Sequence, residues 1–376
     1  MITTEKILAA LRNVQEPDLG KDLVTLNMIQ DIEIKGNEVS FTVVLTTPAC
    51  PMKDMMRTAC ENAVRLLVSK EAVVKVNFTA QTTSKRVDAG AILPQVKNII
   101  AVFSGKGGVG KSTVAANLAL ALSQGGASVG LMDADIYGPS VPIMFGVRGE
   151  RPLMEDVNGK GMILPLERFG IKLMSIGLLV DEKNAVVWRG PMASSAVKQF
   201  VSDVKWGSLD YLIIDMPPGT GDIHLTLLQT VPVTGSVIVT TPQDVALADA
   251  KKGIAMFGQA QLNVPLIGLV ENMSYFTPPE LPDNKYYIFG KKGAEYLAKD
   301  KEVPFLGALP IEQSVREAAD AGRPAALQVQ TPIAIAFQEI SKKLVSQVLF
   351  RNKNLPPTKA VEITNLVGCE AIKYNI

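Results

Sequence analysis

A chain of 376 residues with 47% apolar side chains is too long for one ordinary core and too hydrophobic for wholesale disorder, so two or three folded units are expected. Its 38 Lys and Arg balance 37 Asp and Glu, which gives no global reason to expect nucleic acid or an anionic membrane as partner. One histidine, His224, excludes a multi-histidine metal site, and three cysteines, Cys50, Cys60 and Cys369, cannot supply four thiolates from one chain. An odd cysteine count, no apolar run of bilayer length and no signal-like start make a reduced, cytoplasmic protein the expectation.

Residues 1–80 read as a small α+β unit. Helical spacing over 4–14 puts Ile7, Leu8, Leu11 and Val14 on one side. Strand-like stretches at 29–34 and 39–45 flank a Lys35-Gly36-Asn37 turn, and a helix over 51–69 precedes a strand at 73–78. Residues 81–97 turn polar and read as a linker. From 98 to 350 short apolar strands alternate with helices. The strands are expected at 99–103, 128–132, 211–214, 236–240, 266–270 and 304–306, with helices at 112–123 and 245–257. Such strands suit a mostly parallel sheet covered on both faces. The tail, 351–376, is polar, holds Pro356 and Pro357, and is expected to dock loosely.

Gly105, Lys106, Gly107, Gly108, Val109, Gly110, Lys111, Ser112 and Thr113 fit G-x-x-x-x-G-K-[ST]. The stretch lies between an expected strand and an alanine-rich helix, as a P-loop requires. Its glycines let backbone N–H groups converge on phosphates at a helix N-terminus. Lys111 is expected to reach the β- and γ-phosphates of ATP, Ser112 to ligate Mg²⁺ and Thr113 to touch the α-phosphate. Lys106 is either a solvated lysine or a charge offered across a dimer. Asp133 and Asp135 follow one strand and Asp215 another, where carboxylates can face Mg²⁺ or the attacking water. Cys50 precedes a proline suited to the first helical position. That predicts an N-cap thiol with thiolate character, against the plainer reading of a small buried hydrophobe. Cys60, ten residues on, lies roughly 15 Å along a helix axis, too far to share a cluster with Cys50, and reads as packing. Cys369 carries no assignment.

Lys106 with Lys111 resembles the deviant Walker A pattern of the MinD/ParA/nitrogenase-iron-protein group. The phrases Asp133-Ala-Asp-Ile-Tyr-Gly-Pro-Ser140, Trp188-Arg-Gly-Pro191, Asp215-Met-Pro-Pro-Gly-Thr-Gly-Asp222, Thr241-Pro-Gln243 and Glu271-Asn-Met-Ser274 are similar to the Mrp/ApbC iron–sulfur cluster carriers. The likeness covers about residues 98–345, and the N-terminal unit resembles a domain that many bacterial members carry, with a cysteine matching Cys50. It implies a homodimeric ATPase that delivers iron–sulfur clusters to apo-proteins, without membrane or nucleic acid as partner. It further implies a switch I at Asp133–Asp135 with Asp135 orienting water, a Walker B Asp215, a second switch freed by Gly219 and Gly221, and Asn272 at the adenine edge. From its own residue type Asn272 is equally a turn residue. Members of that family carry Cys-x-x-Cys between Asn-Met-Ser-Tyr-Phe and Phe-Gly, whereas residues 275–290 here hold no cysteine. That departure leaves two expectations open: clusters held by Cys50 from two chains with outside ligands, or a member that has given up carrying them. The alternative is a MinD/ParA-like reading in which a positioning or scaffold ATPase works without cluster chemistry. A MinD-like anchor would need a basic amphipathic C-terminal helix, and residues 352–376 lack that periodicity.

Overall fold

The computed structural model describes residues 2–17, 20–50, 52–86, 92–157, 159–180, 190–259 and 262–361, with backbone alone at Gly190, Pro191 and Asp222. Pro51, Trp188, Arg189 and Cys369 lie outside the described residues. Among the described residues no helix is long and apolar enough to cross a membrane.

In the N-terminal unit, helix α1 (Thr4–Leu11) starts at Thr3, whose hydroxyl accepts the Lys6 N–H at 3.4 Å. Strands β1 (Ile29–Lys35) and β2 (Glu38–Leu45) form an antiparallel hairpin turned at Gly36, where φ is +63°. Helix α2 (Lys53–Leu67) then crosses over to β3 (Val73–Ala80), which runs parallel to β2. Alternation along β2 buries Val39, Phe41, Val43 and Leu45 against Ile7 and Leu11 of α1 and against Met56, Cys60 and Val64, a one-sided stripe of α2. Helix α2 starts later than expected. The Lys53 N–H donates to the Cys50 carbonyl at 3.4 Å, and Met52 is the cap. Cys50 is therefore not the N-cap, and the dipole argument for its thiolate fails.

The larger unit is built on β4 (Val96–Phe103), α3 (Lys111–Gln124), β5 (Val129–Asp133), β6 (Leu166–Arg168), β7 (Ile171–Ser175), α4 (Gly190–Ser202), β8 (Leu209–Asp215), α5 (Asp222–Thr230), β9 (Gly235–Thr240), α6 (Asp244–Phe257), β10 (Leu266–Glu271), α7 (Gly293–Asp300), β11 (Phe305–Ala308), α8 (Gln313–Asp320) and α9 (Pro332–Asn354). Its sheet has the order β6-β7-β5-β8-β4-β9-β10-β11, parallel throughout except for β6 at one edge. Consecutive residues of β4 feed opposite cores. Ile100 and Val102 pack with α3 and α9, while Ile99, Ala101 and Phe103 pack with α4, α5, α6 and α7. This double coverage is why β8 is buried along its whole length. Strands β6 and β7 were not anticipated. They join through Phe169 and Gly170, both at positive φ, and β7 pairs with β5.

The two units meet along a seam. Ala49 joins the core that holds α3, and the hydroxyls of Thr47 and Tyr211 share a buried hydrogen bond at 3.1 Å. A Cβ at Gly125 would sit 2.9 Å from the Ala49 Cβ, so glycine permits this approach. Residues 81–86, expected within a linker, are packed on the larger unit. Thr82 is buried and donates to Asp210, which also accepts from Lys97 and from the Ser128 N–H, each at 2.9 Å. The tail differs as well. Helix α9 continues to Asn354, and the following strap is tied down where Thr358 N–H donates to the Lys85 carbonyl at 2.7 Å and Val361 N–H to the Leu228 carbonyl at 3.0 Å. Two backbone bonds and a buried Thr358 replace the loose docking expected for this part of the tail.

Candidate nucleotide site

Strand β4 ends at Phe103 and the chain turns through the glycine loop into α3, with Gly108 at φ +83° and Gly110, the helix cap, at φ +81°. Both values lie in the left-handed region that favours glycine. A Cβ on Gly110 would also strike the Asn272 amide, whose Nδ2 donates to the Val109 carbonyl at 2.9 Å. Asn272 thus braces the loop from the end of β10. Thr113 continues the first turn of α3, its carbonyl accepting from Asn117 Nδ2 at 2.8 Å.

Lys111 is buried. Its ammonium donates to Asp215 Oδ1 at 2.6 Å and to Ser112 Oγ at 3.1 Å, and lies 3.8 Å from Asp135 Oδ2. Asp215 closes β8, fully buried, and its Oδ2 has no hydrogen-bond partner among the described residues. Burial raises its pKa, and the Lys111 charge opposes that rise. Asp133 ends β5 with both oxygens engaged. Its Oδ1 accepts from the Asp135 N–H at 3.1 Å, and its Oδ2 from Ser175 Oγ at 3.0 Å and the Val141 N–H at 3.3 Å. Burial, reinforced by the Asp215 charge, pushes Asp133 up to about 7. Of the three carboxylates expected to face metal or water, Asp133 is therefore turned inward and holds the segment after β5. Asp135 lines an open cavity of about 450 Å³ together with Tyr137, Gly138, Pro217, Pro218 and His224.

His224 was weighed from sequence only as a solitary residue. In the fold it grips the loop after Asp215: its Nε2 lies 2.9 Å from the Pro217 carbonyl oxygen and its Nδ1 3.2 Å from that of Gly221. Both partners are acceptors, so the neutral ring, with one N–H, satisfies one of them and the imidazolium both. Burial lowers its pKa, with the two carbonyls opposing. Phe103 meets the ring edge-on at 5.3 Å. Its place two residues after Asp222 in a glycine-rich phrase was the only available signal. Ser175 had none, because its strand was not anticipated.

Lys106 is exposed and, among the described residues, forms no ion pair. Ser104 Oγ donates to its carbonyl at 2.9 Å, fixing the backbone while the side chain stays outside. Cys50 is not brought to this site. It is 8% exposed, near the Thr47–Tyr211 contact toward the start of β8, and Asp215 lies four strand steps beyond Tyr211, roughly 13 Å. Cys60 is fully buried, and burial pushes its thiol up to about 12, the chemistry of packing rather than ligation. Among the described residues no group of three or more His, Cys, Asp and Glu is placed to hold a metal.

Residues 95–345 match the family described as NUBPL iron-transfer P-loop NTPase, and residues 4–78 match that described as iron–sulfur cluster assembly protein. A Synechocystis protein named iron–sulfur cluster carrier protein is 50% identical over 350 residues, covering 93% of this chain and 98% of the relative. A Deinococcus radiodurans protein of the same name is 45% identical over 348 residues, covering 92% and 96%. Among solved structures, a nucleotide-binding protein from Archaeoglobus fulgidus in complex with ADP is similar at TM-score 0.54 and 37% identity, covering 65% of this chain and 92% of that one. With its buried lysine–aspartate pair set behind a glycine loop, the chain belongs to the NUBPL iron-transfer P-loop NTPase family, joined at its N-terminus to an iron–sulfur cluster assembly unit.

Proposed function

We propose that this chain is a Mg²⁺-dependent ATPase that works as a homodimer and carries iron–sulfur clusters to apo-proteins. The observation that carries the ATPase reading is the Lys111–Asp215 pair at 2.6 Å, with the other Asp215 oxygen buried and without a partner among the described residues. A buried acceptor without a donor suits a metal or a metal-bound water. Ser112 and Asp215 would hold Mg²⁺, which neutralises phosphate charge when bound. Backbone amides of 105–113 bind the triphosphate at the start of α3. Lys111 exchanges Asp215 for the β- and γ-phosphate oxygens. Asp135, on the open cavity beside Lys111, orients the attacking water. Asn272 stands by the loop at the adenine side. Lys106 is exposed and forms no ion pair among the described residues, which suits a charge delivered to the partner's γ-phosphate. Nucleotide titration and turnover test this. Lys106→Ala should spare nucleotide affinity and lower hydrolysis, and equal loss of both would overturn the action in trans.

The cluster is cargo, and the relatives' printed names together with the N-terminal unit support carriage. We assign Cys50 as its thiolate, because Cys60 is sealed in the core. Anaerobic reconstitution with iron and sulfide, followed by transfer to an apo-acceptor, tests it. Cluster absorbance undiminished in Cys50→Ala would remove that ligand, and none in wild type would remove carriage. The absence of cysteine from residues 275–290 favours one other reading, a positioning ATPase. ATP-dependent sedimentation with liposomes or DNA would support that reading.

A further inference from the structure

Strands β7, β5 and β8 stop level with one another, so Ser175, Asp133 and Asp215 fall in one row at the carboxyl edge of the sheet. Ser175 and Asp133 are fully buried. The Asp133 carboxylate clasps both ends of the segment after β5. One oxygen takes the Asp135 N–H at 3.1 Å, and the other takes the Val141 N–H at 3.3 Å. Ser175 Oγ donates at 3.0 Å to the same oxygen as Val141. That hydroxyl accepts the Gly177 N–H at 3.2 Å, which leaves its own hydrogen to point at Asp133. The turn at 176–178 meets the clasped segment a second time. A Cβ on Gly177 would stand 3.2 Å from Pro142 Cγ and 3.3 Å from Pro139 Cβ, so glycine lets the turn press on both proline rings.

Capping the turn explains the bond that Ser175 accepts, but not the one it donates. Satisfying a buried carboxylate explains little more, since Asp133 already has an N–H on each oxygen. Those two N–H groups belong to the segment being held, so they cannot by themselves fix the torsions of the carboxylate that holds it. Ser175, on the neighbouring strand, fixes them from the sheet. The segment so framed carries Asp135 to the open cavity, its Oδ2 3.8 Å from the Lys111 ammonium. We propose that Ser175 is a positioning residue for ATP hydrolysis, which sets through the Asp133 clasp where the Asp135 carboxylate stands, with Gly177 as backstop of the same segment. The role rests on the assignment of Asp135 to the attacking water.

Single-turnover hydrolysis at saturating nucleotide, with nucleotide and Mg²⁺ titrations of the full chain, tests it. Ser175→Ala should slow hydrolysis about tenfold, inside the roughly hundredfold that a misplacement of about 1 Å costs, with nucleotide affinity and Mg²⁺ half-saturation unchanged. Ser175→Thr keeps the hydroxyl and should restore most of the rate. On an Asp135→Asn background Ser175→Ala should cost nothing further, because its effect passes through that carboxylate. Gly177→Ala displaces the segment from the other side and should also slow hydrolysis, which keeps the test sound where Ser175→Ala does not fold. Full rates in both Ser175→Ala and Gly177→Ala, an equal fold loss on the Asp135→Asn background, or a raised Mg²⁺ requirement would overturn the proposal alone. No hydrolysis by wild type, or a full rate in Asp135→Asn, would overturn the assignment of Asp135 and the proposal with it.

Discussion

Lys111 has its ammonium on Asp215, which ties the glycine loop to the end of β8. Lys111→Ala leaves Asp215 buried without a counter-charge, and the expected result is loss of nucleotide binding in a fluorescent-analogue titration together with a lowered melting temperature. His224 offers a cleaner pH test. Its folded pKa lies below the ordinary 6.5, so the unfolded chain takes up the proton first as pH falls. The histidine's contribution is complete above about 6.5 and is lost as pH drops through the folded value. Urea melts at pH 7.5 and 5.5 should show that loss in the wild type and a smaller one in His224→Gln. For turnover, His224→Phe removes the grip on Pro217 and Gly221, and kcat should fall about tenfold, the factor of one lost hydrogen bond, with nucleotide affinity unchanged.

At the scale of elements, the glycine loop was fully legible because its chemistry is local: glycine pattern, lysine and hydroxyl sit together before a helix. Gly110→Ala should disable it without unfolding the sheet, since left-handed backbone costs about 1 kcal/mol on a residue with a Cβ and the new methyl strikes Asn272. Unaltered nucleotide affinity in that variant would refute the role of the cap. The wholly apolar strands were legible for the same reason: a run covered on both faces needs no period. Strands β6 and β7 were not, because Glu167, Arg168 and Lys172 at a sheet edge resemble loop. The start of α2 was misplaced because a proline after Cys50 suggests a first turn, whereas the cap is Met52.

On the scale of the whole molecule, the seam ties the Cys50 segment to the far end of β8 and to the end of α3. Tyr211→Phe removes the hydroxyl that meets Thr47, a loss of about 1 kcal/mol, and Ellman's reagent should then reach Cys50 faster than in the wild type. An unchanged thiol rate would show that the seam does not shelter this cysteine. Composition, a nine-residue loop and the order of apolar strands were enough to determine an α/β protein of the P-loop NTPase kind with a small α+β unit before it, because each is a property of contiguous residues. Only the tertiary structure decided that Asp133 faces inward while Asp135 faces the cavity, that His224 holds the loop after Asp215, and that Cys50 lies at a buried seam. Those outcomes depend on which atoms meet across long stretches of chain, where burial and hydrogen-bond partners, rather than residue type, set what a side chain can do.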